Sequence, residues 1–178
     1  MQSKEVNQWI VATTTEAESG WITDIADQMH VNAYRGDLNN VLTRFYEAAM
    51  PYQPEYIVRV TSDCPLADGN LIDEVVKYTL SNQLEYCRTS DDFPDGVDVE
   101  VFTFNALEKA WNESQKLSER EHVTQYIKNN SNFFGQNSFN AINFPAPADY
   151  SDIRMTVDED RDLLLVEQLV SKLGFEKS

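Results

Sequence analysis

"RVTSDCPLADGNLID", residues 59–73, decides how the chain is read. It continues the β-branched run "YIVRVT" (56–61), then passes through an aspartate and a Cys-Pro step into Leu71, Ile72, Val75, Val76 and Leu80, which recur at helical spacing. A strand followed closely by a helix is the unit from which open parallel sheets are wound. Such sheets bind ligands beyond the carboxyl ends of their strands. Asp63 stands at such an end. Either its carboxylate faces a ligand, or it only shapes the turn and caps the next helix.

The same alternation extends in both directions. "WIVATT" (9–14) is apolar and β-branched without alternating, which predicts a strand covered on both faces. A helix near 21–29 and a brief strand at "VNAY" come next, and Leu38, Val41, Leu42, Phe45, Ala48 and Ala49 predict a helix from Asp37 that Pro51 stops. Beyond the opening stretch, "YCRT" and "VDVEVF" read as strands around the loop "SDDFPDG". Residues 105–114 and 119–129 read as helices, the second opened by a capping box in "SERE" between Ser118 and Glu121. "FNAINF" and "DIRMTV" complete the strands. A last helix from Asp160 carries Leu163, Leu164, Val166, Leu169, Val170 and Leu173 and should end at Gly174. The Asn- and Ser-rich stretch 129–140 is the nearest thing to a mobile segment. This pattern predicts an α/β three-layer sandwich with a mainly parallel sheet, in one domain over residues 1–178.

Composition bounds the function. The 178 residues are 42% hydrophobic, enough for a real core, and 14 basic against 30 acidic residues leave a formal charge of −16. That charge argues against nucleic acid and anionic membrane surfaces as partners. An anionic ligand would need local help from a cation, a helix N-terminus or a few placed arginines. Cys64 and Cys87 form no zinc or disulfide pattern, and neither a signal peptide nor a membrane span is visible, so the cytoplasm is the expected compartment. Walker, G-x-G-x-x-G, H-E-x-x-H and G-x-S-x-G motifs are absent from the sequence.

Several residues carry possible chemistry. Asp63 and Asp158 both come directly after predicted strands, and Mg²⁺ is commonly held by one or two protein carboxylates together with substrate phosphates. The plainer alternative is that each caps a helix. Arg59, charged within an apolar strand, needs either a ligand or an internal ion pair. Asp98 and Glu100 fall two apart on one strand face, suited to polyol hydroxyls, a cation or, slightly preferred, solvent. Arg120 and His122 flank the first turn of a capped helix, where they could meet a sugar or a phosphate, although a lone helix histidine is more often structural.

Taken in order, "IVATTT", "YRGDLNNVLTRFYEAA", "IVRVTSDCPLADGNLIDEVV", "FPDGVDVEVFTFNALEKAW", "SEREHVTQYI" and "IRMTVDEDRDL" resemble the cytidylyltransferase-like family of spore-coat polysaccharide biosynthesis proteins, from about residue 9 to 170. That family is similar to the synthetases of CMP-activated acidic sugars. The resemblance implies a nucleotide-diphospho-sugar-transferase-like fold, Mg²⁺, and transfer of CMP from CTP to a sugar with release of pyrophosphate. It makes Asp63 and Asp158 metal-binding residues and gives Asp63 and Arg59 catalytic roles, while Arg44, Asp98, Glu100, Arg120 and His122 match motif positions suited to substrate binding. Ser62 and Gly69 depart from the family's usual glycine and proline. The larger departure is at the start: family members open with a strand and a Gly-, Arg- and Lys-rich loop around the phosphates, and this chain starts at the second strand. A chain missing the first βα unit is expected to be incomplete or inactive alone, and to homo-oligomerise, a dimer above all, through the exposed strand edge. The alternatives are a non-catalytic sugar- or metal-binding module on the same fold, and an interaction protein.

Overall fold

The computed structural model describes residues 3–173. Two strands, β1 (Ile10–Thr14) and β2 (Asn32–Gly36), form a parallel pair, with α1 (Gly20–Gln28) between them in the chain. After α2 (Val41–Ala49) comes β3 (Tyr56–Arg59), then α3 (Gly69–Ser81), β4 (Tyr86–Thr89) and β5 (Glu100–Thr103). Helices α4 (Phe104–Glu113), α5 (Leu117–Glu121) and α6 (Gln125–Asn129) precede β6 (Ala141–Phe144), and α7 (Asp160–Leu173) closes the described chain. The main sheet has the order β3-β5-β4-β6. It is mixed: β4 and β6 run parallel, while β5 runs antiparallel to both β3 and β4.

Helices cover both faces of this sheet. On one, Ile72, Val75, Val76 and Thr79 of α3, spaced as one helical stripe, pack on Cys87, Val99 and Val101. On the other, Leu42, Ala106, Leu107, Ala110 and Ile127 enclose Tyr86, Phe102 and Ala141. Side-chain caps fix three helix starts: Asn40 accepts from Thr43 N–H, Asp68 from Asn70 N–H and Thr103 from Ala106 N–H, each at 3.1 Å. The stacked rings of Tyr46 and Trp111, 4.3 Å apart, and the Trp111 Nε1–H bond to Thr43 Oγ1 at 3.1 Å lock α2 onto α4. Residues near the start of the chain are anchored by Asp73, whose buried carboxylate accepts from Ser3 Oγ and from the N–H groups of Lys4 and Glu5.

Several sequence expectations change here. β1 is only half-buried and pairs only with β2 among the described residues, so it is not the strand covered on both faces that its composition suggested. "DIRMTV" makes a single bridge, Arg154 to Asp95, in place of a strand. α2 starts at Val41, because Asp37 turns the chain first by accepting from the N–H groups of Asn39 and Asn40. The helix expected over 119–129 breaks at His122–Thr124 into α5 and α6. Its box is shifted by two residues: Glu119, not Glu121, reaches back to the N–H of Lys116, at 3.5 Å. The stretch 129–140 holds a 3₁₀ turn over Asn132–Phe134 and is tied to β6 by Asn132, which both donates to and accepts from the backbone of Ala141. The expected end at Gly174 lies outside the described residues.

Candidate functional site at the carboxyl edge

The carboxyl ends of β3, β4 and β6 lie on one edge of the sheet, and β5, being antiparallel, begins there. Three loops gather above this edge and are sewn together by backbone hydrogen bonds. Val157 N–H donates to Asp63 O at 2.9 Å, Asp95 N–H to Ile153 O at 3.0 Å and Met155 N–H to Asp95 O at 2.6 Å. Gly96 makes this approach possible. Its φ is +94°, and a Cβ there would stand 2.5 Å from Thr156 N, so any side chain would push the loops apart.

The stitching sets Asp63, half-buried, beside the strand-like segment that ends at the exposed Asp158. Neither aspartate caps a helix. Asp68 caps α3, and at the start of α7 it is Asp162 that accepts from the N–H groups of Asp158 and Glu159. Asp158 instead pairs with Arg154, which also engages Asp162 and Asp95. The two carboxylates are hard oxygen donors of the kind Mg²⁺ takes, with water and phosphate completing its shell, but here Asp63 contacts the Cys64 thiol and Asp158 is held by Arg154. A group of three or more His, Cys, Asp or Glu side chains that could hold a metal does not occur among the described residues. Cys64, next to Asp63, is buried, and that burial pushes its thiol's pKa up, so it remains a neutral thiol.

The other candidates divide. Arg59 and Glu100 meet: Arg59 Nη1 lies 2.5 Å from Glu100 Oε2. They stand opposite each other in the strand register, with Arg88 on the far side of Glu100. Glu100 is therefore not the solvent-facing acid that its strand pattern slightly favours; it is 6% exposed. Its Oε1 accepts from Tyr86 Oη at 2.5 Å and Thr124 Oγ1 at 2.7 Å, and Lys128 Nζ lies 3.3 Å away. Burial alone would raise this carboxyl. The opposing pull of Arg59, then of Lys128 and the two hydroxyls, brings its pKa down to about 2. Asp98 lies before β5 begins, exposed, and accepts from Gly96 N–H. Partial desolvation, then repulsion from Asp95 and Glu100, moves its pKa upward.

Arg44, Arg120 and His122 are not drawn into this group. Arg44 donates through Nη1 to Asp37 O, and its buried Nε–H has no acceptor among the described residues. Arg120 donates to Ser114 O at 2.7 Å, and His122 is exposed at the end of α5. The sequence reading missed Lys128, Thr124, Tyr86 and Arg154. Thr124 and Lys128 are concealed by the helix break: on one continuous helix they look like ordinary surface residues, whereas the kink at His122–Thr124 delivers the Thr124 hydroxyl to Glu100.

A cytidylyltransferase family profile matches residues 1–173. The chain is 39% identical over 171 residues to an uncharacterized protein of Methanocaldococcus jannaschii, covering 94% of this chain and 68% of that one. It is 26% identical over 174 residues to the spore coat polysaccharide biosynthesis protein SpsF of Bacillus subtilis, covering 96% and 70%. Among solved structures, a cytidylyltransferase from Leptospira borgpetersenii superposes with a TM-score of 0.84 at 31% identity, over 92% of this chain and 68% of that one. Molybdopterin-guanine dinucleotide biosynthesis protein A of Archaeoglobus fulgidus shares the fold alone, with a TM-score of 0.57 at 12% identity. With its mixed sheet, its loop-bearing carboxyl edge and a profile match that runs nearly end to end, the chain belongs to the cytidylyltransferase family.

Proposed function

We propose that the carboxyl edge serves transfer of CMP from CTP to a sugar, with release of pyrophosphate, in polysaccharide or glycoconjugate synthesis. The observation that carries this reading is the backbone bond from Val157 to Asp63, which fixes the loops bearing Asp63 and Asp158 next to each other. In this reading both aspartates hold Mg²⁺, which when bound neutralises phosphate charge and polarises the α-phosphorus toward in-line attack. In this reading Asp63 anchors the site. Arg59 is held in one orientation by Glu100, at the carboxyl end of β3. Asp98, Arg44, Arg120 and His122 are assigned to substrate binding on their motif positions.

The reading includes slow or absent turnover by the 178-residue chain alone. Arg154, the cation that contacts Asp158, is also engaged by Asp95 and Asp162, which leaves little positive charge at the aspartates for a triphosphate. That same clamp favours the second reading, a binding module that does not turn over. The test is a thermal melt with CTP, with and without Mg²⁺. A Mg²⁺-dependent shift well below the roughly 5–10 °C of a ligand at a hundred times its dissociation constant is expected. A shift indifferent to Mg²⁺, or equal for CTP and ATP, would refute the nucleotide reading; vigorous pyrophosphate release would refute the inactivity.

Self-association belongs to the same reading. β1 leaves one edge unpaired among the described residues, β3 is an edge strand, and α7 exposes Leu163, Leu164, Leu165 and Leu173. Sedimentation should show a dimer or larger; a monomer at every concentration would count against it. Both cysteines are buried free thiols, in keeping with the reducing cytoplasm expected from the sequence. No helix among the described residues is long and apolar enough to cross a membrane.

A further inference from the structure

We infer that Arg59 and Lys128 form an oxyanion-binding subsite, built on Glu100 at the carboxyl edge. This deepens the proposed function by assigning a place for an anionic group of one substrate, and it rests on that reading only for which substrate is meant. Glu100 carries one negative charge and is already held by three good donors: Arg59 Nη1, Tyr86 Oη and Thr124 Oγ1, at 2.5, 2.5 and 2.7 Å. A buried carboxylate needs one counter-charge and a filled set of donors. Lys128 is the second cation and the longest contact, at 3.3 Å, and its ammonium keeps two further N–H donors.

The cluster therefore holds one positive charge beyond what Glu100 balances, in a chain whose formal charge is −16. The neighbouring charges do not cancel it directly. Arg88, next in the row, is paired with Asp91, while Asp98, whose charge its bond from Gly96 N–H leaves in place, acts on the cluster only at longer range. Arg59 and Lys128 each keep about a quarter of their side-chain surface open, 23% and 26%, although Glu100 between them is nearly closed off. An ion pair that served the core alone would leave no spare cation. Two cations on the two oxygens of one buried carboxylate, at the edge where the loops converge, make a preorganised seat for a carboxylate or phosphate.

The chemistry is shared by three sources, a sugar carboxylate, a sugar phosphate and the nucleotide's own phosphates, which a titration without metal separates. Calorimetry of the 178-residue chain with glucuronate, glucose 6-phosphate, CTP and neutral glucose should show binding of at least one anion and none of glucose. Lys128→Gln should weaken that anion roughly ten- to hundredfold, and Lys128→Arg should retain most of it. Unchanged far-UV dichroism and melting in Lys128→Gln would separate lost binding from lost folding. Binding of none of the three anions, equal binding of glucose, or an undiminished affinity in Lys128→Gln would overturn the subsite. Because no Mg²⁺ or turnover enters, failure of the proposed reaction would leave this result standing, and failure of the subsite would leave the reaction to its own test.

Discussion

Glu100→Ala should destabilise the protein by roughly 3–5 kcal/mol, the usual consequence of removing one partner from a buried ion pair. At about 2–4 °C per kcal/mol for a domain of this size, that is a fall in melting temperature of roughly 10 °C. The substitution strands Arg59 and Lys128 near a buried face and leaves the Tyr86 and Thr124 hydroxyls without their acceptor. Glu100→Gln isolates the charge. The folded-state pKa of about 2 lies below the 4.5 of the free side chain, so the charged form stabilises the fold above about pH 4.5. That stabilisation, on the order of 3 kcal/mol, is lost as pH falls from about 4.5 to about 2. Chemical denaturation of wild type and Glu100→Gln across this window checks it: the stability gap should be full at neutral pH and close on acidification. A gap of constant size would mean that Glu100 is not held by charge.

Asp63→Asn should remove the Mg²⁺-dependent part of the CTP response in the 178-residue chain. Where turnover is measurable, the substitution should lower it at least about a hundredfold. Changes to groups that merely orient metal ligands cost 10–100-fold, and loss of one of two carboxylate ligands should exceed that. Asp63 is only half-buried, its side chain makes one weak hydrogen bond among the described residues, from Cys64 at 3.6 Å, and its carbonyl keeps its bond to Val157. The variant should therefore melt within about 0.5 kcal/mol of the wild type, as surface substitutions usually do. A normal Mg²⁺ response in Asp63→Asn would remove Asp63 from the site.

The contrast between these two residues shows what was legible. Asp63 could be placed at the mouth of the sheet from its neighbours alone, because a β-branched run, a short loop and a helical stripe define a strand end locally. Glu100 was assigned to the right strand and the wrong environment. Alternation in "VDVEVF" gives the side but not what covers it, and the cover comes from Thr124 and Lys128, which reach Glu100 only through a helix break. "DIRMTV" has strand composition, yet its ladder partner is a loop pinned by Gly96, and composition does not encode pairing. Arg59 was open between ligand and ion pair, and the structure supplies the pair. The apolar stripes made α2, α3 and α4 legible, but caps were not: the box read at Ser118 lies at Lys116, and the helix expected over 119–129 breaks in two.

The antiparallel β5 also bears on the order in which the sheet can close. Only the ten residues between Thr89 and Glu100 separate β5 from β4, whereas β6 must return across the 51 residues between Thr89 and Ala141 before it can pair. Closure entropy rises with the logarithm of loop length, so a fivefold longer loop costs about 1.4 kcal/mol more. The β4–β5 ribbon is thus the cheapest non-helical contact of the main sheet, and it sets Arg88 beside Glu100 before Arg59, Thr124 or Lys128 can arrive. An acid that ends up nearly closed off spends the early stages of folding in water, where its charge is well solvated, and is covered only when the α5–α6 segment brings Thr124 and Lys128 to it.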